Sequence, residues 1–204
     1  MSKADQYDRA AEGWSDEAYA DPAGYLARRA VLVVGLGPRL EPGDRVLDLA
    51  CGDGGLAEFL VPYEVEYLGL DLSGPMVEAA RRRGRTVELG DLNDYEPAGP
   101  VAATTCFRAI YYARDRAAFF RRVAGYTDRK LVFDLNPRQY PVADVERDLR
   151  AAGFGRLELR PFFSPQTVAV PRPVAAALRA AERSGPLARL ALRFRFTYVC
   201  AAWR

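Results

Sequence analysis

Val46-Leu47-Asp48-Leu49-Ala50-Cys51-Gly52-Asp53-Gly54-Gly55 is the stretch that decides the fold. Apolar residues flank Asp48 and run straight into a glycine turn. Behind it, Leu56-Ala57-Glu58-Phe59-Leu60 has helical spacing. The order is a buried strand, a loop stripped of Cβ atoms and a helix N-terminus. Such a junction presents backbone N–H groups and lets a ligand approach the main chain closely. Asp48 sets negative charge beside a loop otherwise suited to anions, so the ligand is expected to be cationic at that end.

Gly52-Asp53-Gly54-Gly55-Leu56-Ala57 also satisfies the dinucleotide fingerprint G-x-G-x-x-G/A. Asp71 ends the next strand, where an acid binds ribose hydroxyls in either kind of site. Charge separates a dinucleotide from a ligand that is cationic at the Asp48 end. A pyrophosphate would be repelled by Asp48, by about 4 kcal/mol for unit charges ~4 Å apart at an effective dielectric of ~20. A sulfonium and an ammonium would be attracted.

Strand and helix patterns alternate on either side of this motif, which predicts a doubly wound α/β sheet. Arg45–Ala50 is the first strand and Val65–Leu70, ending at Asp71, the second. Ser73 caps a helix with Pro75 in its first turn, running through Met76, Val77, Ala79 and Ala80. Thr86–Leu89 and Val101–Phe107 follow as strands, then a helix capped by Asp115 and a fifth strand at Lys130–Leu135. A helix over Pro141–Ala152 is closed by Gly153. Gly155–Phe163 and Leu192–Trp203 are rich in strand formers. Between them, Ser164–Ala191 has three prolines (Pro165, Pro171, Pro173) before a helical stretch from Val174 to Arg183. Its Val174, Leu178, Leu187 and Leu190 either face a substrate or cover the sheet.

The motif Asp48-x-x-x-Gly52-x-Gly54, with Asp71 after it, resembles the first motif of the class I, Rossmann-like S-adenosylmethionine-dependent methyltransferases of small-molecule type. The resemblance is good over residues 40–163 and looser at the ends. It implies one domain over residues 1–204: a sheet of about seven strands, mostly parallel with an antiparallel C-terminal hairpin at the edge, and helices on both faces. Residues 1–40 would form a helical arm and 164–191 a helical insertion between the last two strands. Tyr7-Asp8-Arg9-Ala10-Ala11 is similar to the arm that many relatives fold over their cofactor; packing of its aromatics on the sheet is the alternative.

S-adenosyl-L-methionine is the implied cofactor. By resemblance Asp48 would orient its methionyl end, Ala50 would belong to the cofactor site, Gly52 and Gly54 would give backbone room, and Asp71 would accept the ribose hydroxyls. Leu72 and Met76 would flank the adenine, and Asp91 and Leu92 would meet its amino group. Tyr7 and Phe107 would complete the site. In the family, Phe107-Arg108-Ala109-Ile110-Tyr111-Tyr112 borders donor and acceptor. Arg108 would read a carboxylate or phosphate, or make a structural ion pair. Tyr111 and Tyr112 would position the acceptor, one of them in the pocket and the other in the core. Trp14 and Asn136 are candidate substrate contacts. Asn136-Pro137 with Tyr140 is only partly similar to the Asn/Asp-Pro-Pro-Tyr signature of enzymes that methylate amino groups of nucleic acids. It follows the fifth strand rather than the fourth, and Arg138 replaces the second proline.

Composition narrows the chemistry. There is no histidine among the 204 residues, which excludes histidine-built zinc sites and Ser-His-Asp hydrolysis. Methyl transfer needs neither, and no metal is expected. Three cysteines, widely spaced, fit small buried hydrophobes better than a disulfide framework. A net charge of +2 is too small to imply a nucleic-acid partner by itself, and the Arg81-Arg82-Arg83, Arg85 cluster reads as a helix C-terminus or a phosphate patch. With neither a membrane span nor a signal-peptide core, a cytoplasmic location is expected. The expected function is methyl transfer to O or N of a small molecule. A nucleic-acid or protein methyltransferase and a nonenzymatic cofactor-binding module are the alternatives. The first would need a basic groove, the second a plugged acceptor pocket.

Overall fold

The computed structural model describes residues 13–183 and 197–204. The first half holds α1 (Trp14–Ala18), α2 (Pro22–Gly35), β1 (Arg45–Leu49), α3 (Leu56–Leu60), β2 (Glu66–Asp71), α4 (Gly74–Arg82), β3 (Val87–Leu89) and β4 (Val101–Cys106). The second holds α5 (Arg116–Tyr126), β5 (Thr127–Leu135), α6 (Val142–Ala151), β6 (Arg156–Pro161), α7 (Arg172–Arg183) and β7 (Tyr198–Trp203). Local chemistry explains the helix starts. The side chains of Asp21, Ser73 and Asp115 accept from the backbone N–H groups of Gly24, Met76 and Ala118, and prolines stand in the first turns of α2 and α4. Each such cap contributes about 1 kcal/mol.

The seven strands lie in the order β3-β2-β1-β4-β5-β7-β6. Neighbours from β3 to β5 pair parallel, while β7 runs antiparallel to both β5 and β6. The antiparallel pair is therefore at the edge, with β7 inside and β6 outermost. β7 begins at Tyr198, and the start of the expected strand at Leu192 lies outside the described residues. β1 stops one residue early because Ala50 turns left-handed, at φ 55°.

Side chains alternate between two cores, as the period of a strand requires. Leu47, Leu49, Phe133 and Leu135 meet Phe119, Phe120, Val145 and Leu149 of α5 and α6 on one face. Val46, Ala103 and Val132 meet α2 and α3 on the other. β5 also places Lys130, fully buried, under the C-terminus of α2. There its Nζ donates to the carbonyls of Val34 and Leu36 at 3.1 and 2.7 Å, and burial pushes its pKa down to about 7.

The insertion rests on the arm. Ala20 N–H donates to Gln166 O, and Gln166 Nε2 to Ala18 O. Glu182, the one buried residue of α7, accepts from Arg28 and from Phe163 N–H. Val174 faces solvent and Leu178 is half-buried, while Leu187 and Leu190 lie outside the described residues. No described helix is long and apolar enough to cross a membrane.

Candidate active site

Strand order reverses between β1 and β4, and the crevice at the carboxyl ends of such strands is where open α/β sheets bind ligands. A cavity of about 530 Å³ opens there. β1 delivers Asp48 into it. The carboxylate is 5% exposed and accepts from Thr105 Oγ1 at 2.5 Å and from the Tyr67 hydroxyl at 3.0 Å. Burial raises the Asp48 pKa to about 6, although both hydroxyl bonds and the nearby Arg29 pull it down. Asp48 is therefore ionised at neutral pH, without having been stabilised in that form.

The loop after β1 owes its shape to left-handed residues. Ala50, Gly52 and Gly54 have φ of 55°, 59° and 69°. Gly52 faces the cavity, and a Cβ there would stand 2.8 Å from Trp14 Cδ1. Gly54 does not line the cavity; it faces Ala80 and Arg85, so it serves the packing of loop on helix. Asp71, at the end of β2, accepts from Gly52 N–H at 2.7 Å and Ser73 N–H at 2.9 Å. It thus ties the loop to the start of α4. A carboxylate has about four acceptor sites, so these amides do not prevent it from accepting hydroxyls too.

Leu72, Met76, Asp91 and Leu92 line the next part of the wall. Asp91 is also a turn residue, accepting from Asn93 N and Nδ2 and pairing with Arg114. Burial opposes its charge, but the Asn93 bonds and Arg114 outweigh it and hold the carboxyl below its usual range.

The opposite wall carries Phe107, Arg108, Tyr111, Tyr112, Trp14 and Tyr19. Both tyrosines of the pair line the cavity, with ring centroids 4.4 Å apart, and Ile110 takes the core position. The tight 3-10 turn at Ile110–Tyr112 turns one residue in three inward. Asn136 is not part of the lining; its side chain accepts from Arg138 N–H in a turn after β5. Tyr7 lies outside the described residues.

Three important residues escaped the sequence reading. Arg29 of α2 is 3% exposed, lies over the Phe107 ring at 4.2 Å and pairs with Asp134 at 2.8 Å. Asp134 also accepts from Arg108 N–H at 2.7 Å. An acid within the buried strand β5 was the available signal. Asp53, 1% exposed, accepts from Ser15 N and Oγ and pairs with Arg83, fastening the arm to the loop. Arg81 donates to Val87 O and Arg85 pairs with Glu58, so most of the arginine cluster is engaged within the chain.

Asp53→Ala is expected to loosen the arm. Hydrogen bonds to charged groups are worth about 1.5–3 kcal/mol, so exchange at Ser15–Ala18 should quicken by roughly tenfold or more while the sheet stays protected. Unchanged exchange would mean that another contact holds the arm.

Residues 46–129 match the family model described as a methyltransferase domain. A ubiquinone biosynthesis O-methyltransferase of Xanthomonas axonopodis pv. citri (strain 306) is 34% identical over 97 residues, 42% of this chain. The chain covers 40% of that relative's length. A methyltransferase solved in complex with the Haloferax volcanii Trm112 activator superposes with TM-score 0.66 at 18% identity, covering 97% of both chains. Magnesium protoporphyrin IX methyltransferase from Synechocystis PCC 6803, solved with S-adenosylmethionine, gives 0.58 at 17% identity, over 100% of this chain and 85% of that one. At such identities the two structures speak for the fold.

Proposed function

We propose that this chain is a class I, Rossmann-like S-adenosylmethionine-dependent methyltransferase that transfers a methyl group to an oxygen or nitrogen of a small molecule. The observation that carries the reading is a pair of acids, Asp48 and Asp71, bracketing a left-handed glycine loop at the topological switch point. The residues present fit the cofactor. Asp48 offers a negative charge for the methionyl end, Gly52 lines the cavity beside it, and Asp71 is an acceptor for ribose hydroxyls. Leu72 and Met76 would hold the adenine between them, Asp91 and Leu92 would meet its edge, and Phe107 would border the methionyl group.

Held by Asp48, Asp71 and the loop between them, the cofactor would supply an electrophilic methyl carbon for transfer to the acceptor's lone pair, with the C–S bond electrons left on sulfur. The chain's part is positioning and exclusion of water. Trp14, Tyr19 and Phe107 form an apolar wall, and Tyr111 and Tyr112 stand at the opening, where they can stack on an acceptor. The cavity of about 530 Å³ would have to take the cofactor as well as the acceptor, which favours a small acceptor, and the O-methyltransferase likeness favours the same class. Internal engagement of most of the arginine cluster opposes a nucleic-acid groove.

Titration calorimetry tests the reading. S-adenosylmethionine and its demethylated product should bind, with NAD and NADP giving no measurable heat. Asp71→Ala should lower cofactor affinity by one to several powers of ten, at about 1.4 kcal/mol per decade, with an unchanged circular dichroism spectrum. Tight dinucleotide binding, or full cofactor affinity in the variant, would defeat the proposed placement.

A further inference from the structure

Building on methyl transfer at this site, we infer that the acceptor is an oxyanion whose carboxylate or phosphate group is held by Arg108. The other charged groups of the cavity wall are already engaged. Arg29 pairs with Asp134, Arg114 with Asp91 and Asp94, and Asp53 with Arg83. Asp48 and Asp71 accept from hydroxyl and amide donors. The Arg108 guanidinium, among the described residues, has neither an ion pair nor a hydrogen bond. It is half-buried and lies over the rings of Trp14 and Tyr19, at 5.6 and 5.7 Å from their centroids. Aromatic faces stabilise a cation without consuming its N–H donors, and a guanidinium does not lose its proton. Arg108 therefore keeps its donor fork for something that enters the cavity. That fork matches the two oxygens of a carboxylate or phosphate.

The backbone supports the same conclusion independently. Arg108 has φ 55°, a left-handed conformation that glycine or asparagine adopts at much lower cost. It is held there by Asp134, which accepts its N–H at 2.7 Å and is itself anchored on Arg29. Strain kept in place by buried partners at a cavity wall is the mark of a side chain that must point one way. Trp14 touches both Gly52 and Arg108, so the acidic end of the cavity and its basic wall face each other across one ring. A cationic methyl donor at the acids and an anionic acceptor at Arg108 complement each other in charge.

The test measures binding of benzoate, phenyl phosphate and the neutral benzamide, each with and without saturating S-adenosylhomocysteine, to the wild type and to Arg108→Gln. At least one anion should bind the wild type about tenfold or more tightly than benzamide. Arg108→Gln should erase that preference while leaving benzamide affinity and S-adenosylhomocysteine affinity unchanged. Which anion wins distinguishes carboxylate from phosphate. Equal binding of benzamide and both anions by the wild type would overturn the inference without any variant, as would an anion preference that survives Arg108→Gln. Failure of S-adenosylhomocysteine to bind the wild type would count against methyl transfer instead. An Arg108-dependent anion preference seen alongside that failure would keep the oxyanion site.

Discussion

Asp134→Ala is expected to lower the stability of the protein by about 3–5 kcal/mol, the cost of stranding one member of a buried ion pair. Asp134 and Arg29 are 7% and 3% exposed, so water cannot replace the lost partner. The Arg29 guanidinium would be left among the rings of Tyr25, Phe107 and Phe162, and Arg108 would lose the acceptor of its N–H. A domain of this size loses about 2–4 °C of melting temperature per kcal/mol, so the variant should melt roughly 6–20 °C lower. The pair itself contributes less than this number suggests, because both charges were desolvated to form it. The double variant Arg29→Met, Asp134→Leu should therefore recover most of the loss. Recovery will stop short of the wild type because the Arg108 amide still lacks a partner. A loss under about 1 kcal/mol in Asp134→Ala would show that Arg29 finds water and that the pair is not truly buried.

Asp48→Asn should separate stability from function in the opposite sense. The folded-state pKa of about 6 lies above the ordinary 3.8 because burial disfavours the charge. A raised carboxyl pKa contributes stability that is fully present below about pH 4 and lost as the pH rises through 6. At neutral pH the ionised group consequently costs up to about 3 kcal/mol. Asparagine has similar shape, and the hydroxyls of Thr105 and Tyr67 can turn to serve its amide. The ligand-free variant should gain about 1–3 kcal/mol at pH 7–8 and lose that advantage near pH 4. Cofactor affinity should fall with the charge. In the wild type the same carboxylate should make affinity drop about tenfold for each pH unit below 6, since only the ionised form attracts a cation. Asp48→Asn should flatten that dependence. A variant that melts below the wild type at neutral pH, or that keeps the same pH profile, would remove Asp48 from this role.

The fold was legible because its signals are local. Asp48 through Gly55 specifies strand, loop and helix within ten residues, and Ser73, Asp115 and the prolines near them mark helix starts by chemistry confined to one turn. Alternating apolar residues then require a sheet covered on both faces. Gly52, Asp71, Met76 and Phe107 could be placed at the cavity from spacing and family likeness, since the ends of parallel strands meet at one edge. Gly54 and Asn136 could not be excluded from it in the same way. Whether a loop residue faces the crevice or the neighbouring helix depends on packing between segments, not on neighbours in sequence.

By itself, then, the sequence determined the strand–helix alternation, the acid-flanked glycine loop and the absence of histidine chemistry. All three follow from residue type at short range. Tertiary structure alone decided which charges are neutralised. Arg29 finds Asp134 from 105 positions away, Asp53 holds Ser15 from 38, and Arg28 meets Glu182 from 154. Arg108 could be an ion-pair partner or a ligand's counterion on sequence grounds. The packing of α2 over β5 gives the Asp134 carboxylate to Arg29 and leaves the Arg108 side chain against aromatic rings, which speaks against the ion pair. A charge's partner is whatever folding brings within a few ångströms, and that distance has no counterpart along the chain.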